Sequence, residues 1–424
     1  MFGLKSTVLL GAALAAMSFQ SAVAQDFFQR DRNVAVLDRP QPEFDPEPIR
    51  LGTFEARPSL GLGGYFIDNV FATSDNESSD FAFTFRPEVD IQSNWGRHEV
   101  GAFTRVEHFE FVDEGSESVT NVIGGVGGRL DATRDLTFGA NGFGRLANEP
   151  RTQISILDEF GEPVQFTEFG GGVDAQYERD RIRARIGYDV RDRNFDDVES
   201  FDPAFADIDQ DFRDNIRQTV TGRVDYAVTR DIAVFTEASY FVRDFDILTE
   251  LSPGQFETRD SDGFTIRGGL NFEIAAPFRG DIAVGYLEEN RDSDAFADIS
   301  GVSVDGRLQW FPTRLTTVTG IVGRRTSDVG LVTAAAAVNT NASLRVDHEL
   351  RRNFTIYAQG GLFDTEFEDF ARDDTFFDAG IGGIYKLNKR MHLEGFYRYT
   401  NRDSTIPTEE FSQNIVGFEL KFFP

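Results

Sequence analysis

From Arg57 onward, apolar and polar residues alternate with a period of two. Ile182, Ala184, Ile186, Tyr188 and Val190 interleave with Arg183, Arg185, Gly187, Asp189 and Arg191. Phe264, Ile266, Gly268, Leu270, Phe272 and Ile274 interleave with Thr265, Arg267, Gly269, Asn271 and Glu273, and Phe81, Phe83 and Phe85 with Ala82, Thr84 and Arg86. On a strand this spacing gathers the apolar residues on one face, whereas a helix would scatter them around its circumference. The chain ends in the same way, with Val416, Phe418, Leu420 and Phe422 over Gly417, Glu419 and Lys421. Soluble sandwiches alternate too, so the pattern predicts strands and leaves their surroundings open.

The connections decide between those surroundings. One class is short and centred on arginine: Trp95-Gly96-Arg97, Thr133-Arg134-Asp135, Arg179-Asp180-Arg181, Thr229-Arg230-Asp231, Pro277-Phe278-Arg279, Pro312-Thr313-Arg314, Arg351-Arg352-Asn353 and Asn388-Lys389-Arg390. Between these eight turns lie longer acidic stretches without apolar periodicity, such as Ser74 to Asp80, Asp192 to Asp214, Asp244 to Asp262 and Glu366 to Asp374. Strict alternation of short and long connections is how a membrane barrel is built, with tight turns at one rim and long loops at the other. Eight short turns and nine long connections require eighteen strands, within a range of 16–18. The expected fold is all-β, a transmembrane antiparallel up-and-down β-barrel over residues 57–424. An even strand number puts both chain ends at the short-turn, periplasmic side.

The remaining residues fit an exported protein. Lys5, an apolar stretch from Thr7 to Met17 and the small-x-small triplet Ala22-Val23-Ala24 read as a signal peptide over 1–24, cleaved before Gln25. Eleven apolar residues are too few to span a bilayer as a helix. Residues 25–56, with Arg39-Pro40-Gln41-Pro42 and Asp45-Pro46-Glu47-Pro48, read as an extended periplasmic leader without a core of its own. There is no Cys, which excludes disulfides, thiolate catalysis and Cys-held metals. Phe reaches 43 and Gly 40, a bias expected to serve lipid-facing girdles and twisted strands. A net charge of −29 argues against a nucleic-acid partner. Mean hydropathy of −0.32 excludes nothing, because a barrel averages a lipid-facing and a water-facing side.

A family resemblance emerges near the start of the barrel. Pro48-Ile49-Arg50-Leu51-Gly52-Thr53-Phe54, Pro58-Ser59-Leu60-Gly61-Leu62 and Tyr65-Phe66-Ile67-Asp68-Asn69-Val70-Phe71, followed by Pro87-Glu88-Val89, Trp95 and His98, resemble the opening of the β-barrel porin-2 family. Asp68, Asn69, Val70 and Phe71 form its most specific motif, and the likeness runs from about residue 45 to the C-terminus. The resemblance implies an outer-membrane barrel of porin-like character, with some relatives associated with exopolysaccharide export, and it brings no catalytic residues. The last strand is similar to the C-terminal signal read by the barrel-assembly machinery, except that Phe423 and Pro424 follow it.

Candidate chemistry is sparse. No nucleophile elbow occurs. His98 and His348 sit by turns, His108 and His392 fall within strands, and no enzyme activity or cofactor is expected. Asp207, Asp209 and Asp211 have the spacing that opens a Ca²⁺ loop. However, Phe212 stands where the sharp turn needs Gly, so a solvated acidic loop is the simpler reading, with shared cations on lipopolysaccharide phosphates the alternative.

The water-facing wall is more informative. Polar parity assigns it Arg86, Glu88, Asp90, Arg183, Arg185, Asp189, Arg223, Asp225, Arg267, Glu273, Asp305, Arg307, Arg345, Asp347, Glu394 and Arg398. Arginine paired with acid in this way either lines a diffusion pore or braces the wall. The sequence therefore leaves three functions: a passive channel for small hydrophilic solutes with mild cation preference, an accessory barrel in surface-polysaccharide assembly, and a structural barrel with an occluded bore.

Overall fold

The computed structural model describes residues 33–153, 160–201, 206–274, 277–332, 334–368 and 370–424. Period-two stretches rich in aromatic and β-branched residues form eighteen long strands. The first nine are β1 (Phe54–Ile67), β2 (Asp80–Ser93), β3 (Glu99–Phe111), β4 (Val119–Asp131), β5 (Leu136–Asn148), β6 (Gln165–Arg179), β7 (Ile182–Phe195), β8 (Asn215–Ala227) and β9 (Ile232–Phe245). The second nine are β10 (Ser261–Ile274), β11 (Phe278–Arg291), β12 (Ile299–Thr313), β13 (Thr316–Leu331), β14 (Ala334–Arg351), β15 (Phe354–Phe367), β16 (Asp373–Asn388), β17 (Met391–Ser404) and β18 (Phe411–Phe422). Each pairs antiparallel with the next, and β18 pairs back onto β1 from Leu60↔Phe422 to Ile67↔Ile415. Closure leaves no unpaired sheet edge, the condition for strands to stand in lipid.

All eight arginine-centred turns join strands at one rim. The expected ninefold alternation fails once at the other rim, where only residues 332–333 separate β13 from β14. These two strands run to 16 and 18 residues. The hairpin's apolar tip explains the exception, because a loop of acids would expose it. Val329, Leu331 and Ala337 pack against Phe367, while Ala336 and Val338 pack against Leu287 and Ile299. The connection between β9 and β10 also holds a small hairpin, Thr249–Ser252 against Gln255–Glu257.

Burial is inverted relative to a soluble protein. Outward positions expose large apolar side chains, with Ile186 at 60%, Ile381 at 59% and Phe83 at 58%. Inward positions bury charge, as at Glu168, Glu273 and Glu289. A continuous apolar outer surface of this kind is matched to lipid and not to water.

The motif Asp68-Asn69-Val70-Phe71 extends the closing seam beyond the last β1–β18 pair. Asp68 N–H donates to Asn414 O at 3.3 Å, and its carboxylate accepts from Asn414 N and Nδ2, both at 2.6 Å. Asn69 is fully buried; its Nδ2 donates to Thr73 O and Ser412 O, its Oδ1 accepts from Thr73 N, and its carbonyl accepts from Gln413 Nε2. Asn69→Ala should therefore cost about 1–3 kcal/mol through orphaned backbone groups at the seam. The check is a lower temperature for loss of the compact, heat-modifiable band on a gel, and an unchanged temperature would refute the clasp.

Residues 1–24, read as the export signal, and 25–32 lie outside the described residues. The rest of the segment expected to extend as a leader is a strap against the inner wall at the short-turn rim. Asn33 N donates to Glu273 Oε1 (3.2 Å), Val36 N to Thr317 Oγ1 (2.9 Å) and Arg39 to Glu349 (2.8 Å). Asp45 meets Lys386 at 2.9 Å and Phe44 O accepts from His392 Nε2 at 3.0 Å, so the strap spans the wall from β10 to β17. Ile49–Leu51 then turns back onto Phe54–Ala56, and β1 begins at Phe54 instead of Arg57.

Candidate functional site: the inner wall

The strand pleat sends every second side chain into the bore, and all sixteen residues assigned by polar parity occupy such positions. The structure pairs most of them with partners that the sequence did not reveal. Arg86 bonds Glu419 across β1, while Glu88 holds Lys421 at 2.7 Å and Asp90 holds Arg105 at 3.5 Å. Arg183 meets Glu178 at 2.9 Å, Arg185 meets Asp174 at 3.2 Å and Asp189 meets Arg191 at 3.5 Å. Arg223 clamps Asp225 and Asp281, both at 2.9 Å, and Arg267 bonds Glu237 and reaches Asp305 at 3.9 Å. Arg345 binds Asp347 at 3.0 Å, Glu394 accepts from Tyr357 Oη at 2.8 Å, and Arg398 lies 3.5 Å from Asp378. Glu273 receives the strap, whereas the Asp305 and Arg307 side chains are exposed to the bore. Opposed charge held by planar guanidinium forks lines the inner wall with paired ions.

Phenylalanine was expected outside, yet much of it is inside. Six inward rings lie flat over the glycine directly opposite on the next strand: Phe103 on Gly125, Phe143 on Gly170, Phe235 on Gly269, Phe241 on Gly263, Tyr357 on Gly382 and Phe396 on Gly417. A Cβ on Gly170, Gly382 or Gly417 would stand 2.5 Å from a ring atom, so only glycine admits the ring. Guanidiniums then stack above the rings, Arg223 at 3.6 Å from Phe235, Arg345 at 4.1 Å from Tyr357 and Arg105 at 4.8 Å from Phe103. The layering glycine, ring, guanidinium keeps the wall thin while placing charge at its surface. It needs cross-strand register, which no single-sequence pattern encodes.

Loops narrow the long-loop end. Phe160, Val164 and Val198 pack onto the inward Ala147, Phe166 and Phe195, so the described loop residues are folded in towards the bore at this end. Buried arginines tie the loops together. Arg151 binds Glu117 and Phe160 O, Arg213 binds both oxygens of Glu149, and Arg259 donates to Leu331 O and Val329 O.

Within this cap, Asp214 is 6% exposed and accepts from Phe195 N at 2.7 Å. Burial first, then Asp211, Asp246 and Asp192 nearby, push its carboxyl up to about 6. A folded value above the unfolded one means that the protonated form is favoured in the packed loop; that stabilisation is complete below about 4 and lost as pH rises through about 6. Amide exchange in 206–214, corrected for intrinsic rate, should thus slow between pH 7.5 and 5, and Asp214→Asn should remove the difference.

The acidic triplet is redrawn by the fold. The bridge Val198↔Ile208 sets Asp197 beside Asp209 and Asp211, whose carboxylates lie within 4.8 Å of one another, and Asp207 is left out. All three are exposed. On the outer face, His108 Nδ1 meets Thr120 Oγ1 at 2.9 Å and Nε2 meets Glu110 at 3.1 Å. The hydroxyl, imidazole and carboxylate resemble a catalytic line. Yet Thr120 sits within the paired β3–β4 ladder, whose amides are committed to strand bonds and not free to stabilise an oxyanion.

A family model described as Putative beta-barrel porin 2 matches residues 41–422. No match was found among curated proteins. Among solved structures, the chain is similar to a BenF-like porin from Pseudomonas fluorescens Pf-5, at 11% identity and a TM-score of 0.45, covering 87% of this chain and 99% of that one. OpdL of Pseudomonas aeruginosa gives 11% identity and a TM-score of 0.43 over 88% of this chain and 99% of that one. The outer membrane protein opdK of the same species gives 11% and 0.42 over 87% and 99%.

Proposed function

This chain belongs to the Putative beta-barrel porin 2 family, and from that premise we propose that it is a passive outer-membrane channel for small hydrophilic solutes. The observation that carries the reading is the inner wall itself: rows of paired arginine and carboxylate where a filled barrel would carry apolar side chains. Solutes move down their own gradient, and no catalytic step is involved. The acidic long connections raise the local cation concentration at that mouth, which supports a mild cation preference.

A second reading, a structural barrel with an occluded bore, is favoured by the strap at one rim and the inward loops at the other. Purified protein in a planar bilayer separates the two. Discrete conductance steps with a cation-side reversal potential are expected of the channel, and a silent bilayer is expected of the occluded barrel.

A further inference from the structure

Three consecutive strands set arginines directly opposite one another on the inner wall. Arg191 of β7 faces Arg217 of β8, and Arg217 faces Arg243 of β9. Side chains in such register start about 5 Å apart, and like charges there repel. Other arginines of the wall have acids of their own, as Asp225 and Asp281 answer Arg223 at 2.9 Å. Here two acids lie within salt-bridge reach of the three arginines. Asp189 is 3.5 Å from Arg191, and Glu289 is 3.5 Å from Arg243 while held at 3.0 Å by Arg291.

Arg217 stands out within the row. Its guanidinium makes no hydrogen bond or salt bridge with any described residue, and its Nε is shut off from water without a partner. Its close contact is the stack at 4.1 Å on Phe241, the ring that lies over Gly263, while Glu289 and Asp189 attract it from farther off. Stacking fixes the plane of the fork and leaves its donors unspent. Orphaned guanidinium donors are costly, and the cost falls when an oxyanion accepts from several at once.

We infer that Arg191, Arg217 and Arg243 form an oxyanion-binding rung inside the barrel, which takes the carboxylate or phosphate group of a small solute. The inference deepens the channel reading, on which it rests for the passage of that solute, although binding itself needs no open bore. The acidic connections around the rung oppose a free polyanion, so the suited solute carries one such group on a polar body.

Inorganic phosphate and acetate are the probes, titrated against chloride at constant ionic strength into the full-length barrel in detergent. Wild-type protein should unfold at a higher temperature with phosphate, since a ligand that binds only the folded state stabilises it. Arg217→Gln should shift the midpoint of that response by roughly tenfold, the equivalent of one charge-assisted hydrogen bond. Without phosphate, Arg217→Gln should unfold at or above the wild-type temperature because repulsion is relieved, whereas loss of a mere strut would lower it. Arg191→Gln serves if that variant fails to assemble, and Arg134→Gln in a short turn should respond as wild type does. A flat response in wild type, or an equal one in Arg217→Gln, overturns the rung. Phosphate-dependent stabilisation in a barrel that shows no conductance keeps the rung and defeats the channel reading instead.

Discussion

Gly269→Val is expected to yield a barrel that folds poorly, with most of the protein in the form whose gel mobility no longer depends on heating. An added Cβ would stand 2.5 Å from Ile282 O and closer still to Phe235 Cζ. One obstacle is backbone of the neighbouring strand, so no rotamer change removes it. The other is the ring on which Arg223 stacks at 3.6 Å. Overpacking of this kind costs about 1–3 kcal/mol, and the displaced ring takes the seat of a clamped arginine with it. Gly268→Val is the matched control. Its Cβ meets nothing nearer than Phe235 O at 3.9 Å and points to the apolar outer face, where a β-branched residue is favoured. Equal stability of the two variants in urea would refute the flat-ring account of the inner wall.

That contrast also marks how far the sequence could be read. The outward face was legible because Ile182 to Val190 and Phe264 to Ile274 repeat over whole strands, and lipid imposes one demand on all of them. The rims were legible because the arginine turns recur at hairpin spacing. The inward aromatics were not, since Phe235 and Gly269 are opposite only by virtue of register, and period two says nothing of which residue faces which. The short apolar hairpin in place of an acidic loop was not legible either, because packing of Leu331 and Ala337 with Phe367, and of Ala336 and Val338 with Ile299, depends on strands far away in sequence. Prolines made the strap look extended. Its placement is set by charges such as Glu349 and Lys386, more than three hundred residues from their partners Arg39 and Asp45.

The same long-range pairing holds the strap where it would restrict the proposed channel, and deletion tests that. Removing residues 33–48 should leave the barrel closed, because no strand pair in the β1–β18 cycle involves them. Ile49–Leu51 would still fold onto Phe54–Ala56. Glu273, Thr317, Glu349, Lys386 and His392 would instead face water at the short-turn rim. For side chains already evolved to accept or donate there, hydration replaces the lost bonds at small net cost. Conductance, by contrast, follows the narrowest cross-section. If the strap is the narrower of the two constrictions, single-channel steps should grow by roughly twofold and lose cation preference little, since the acidic connections at the other rim are untouched. If the inward loops dominate, the deletion should leave step size unchanged, and closing those loops at low pH through Asp214 should be the change that reduces it. Measuring step size for wild type and the deletion at pH 7.5 and 5 assigns the gate to one rim. A deletion that abolished folding would show that the strap is part of the barrel's core and not a removable occupant of its mouth.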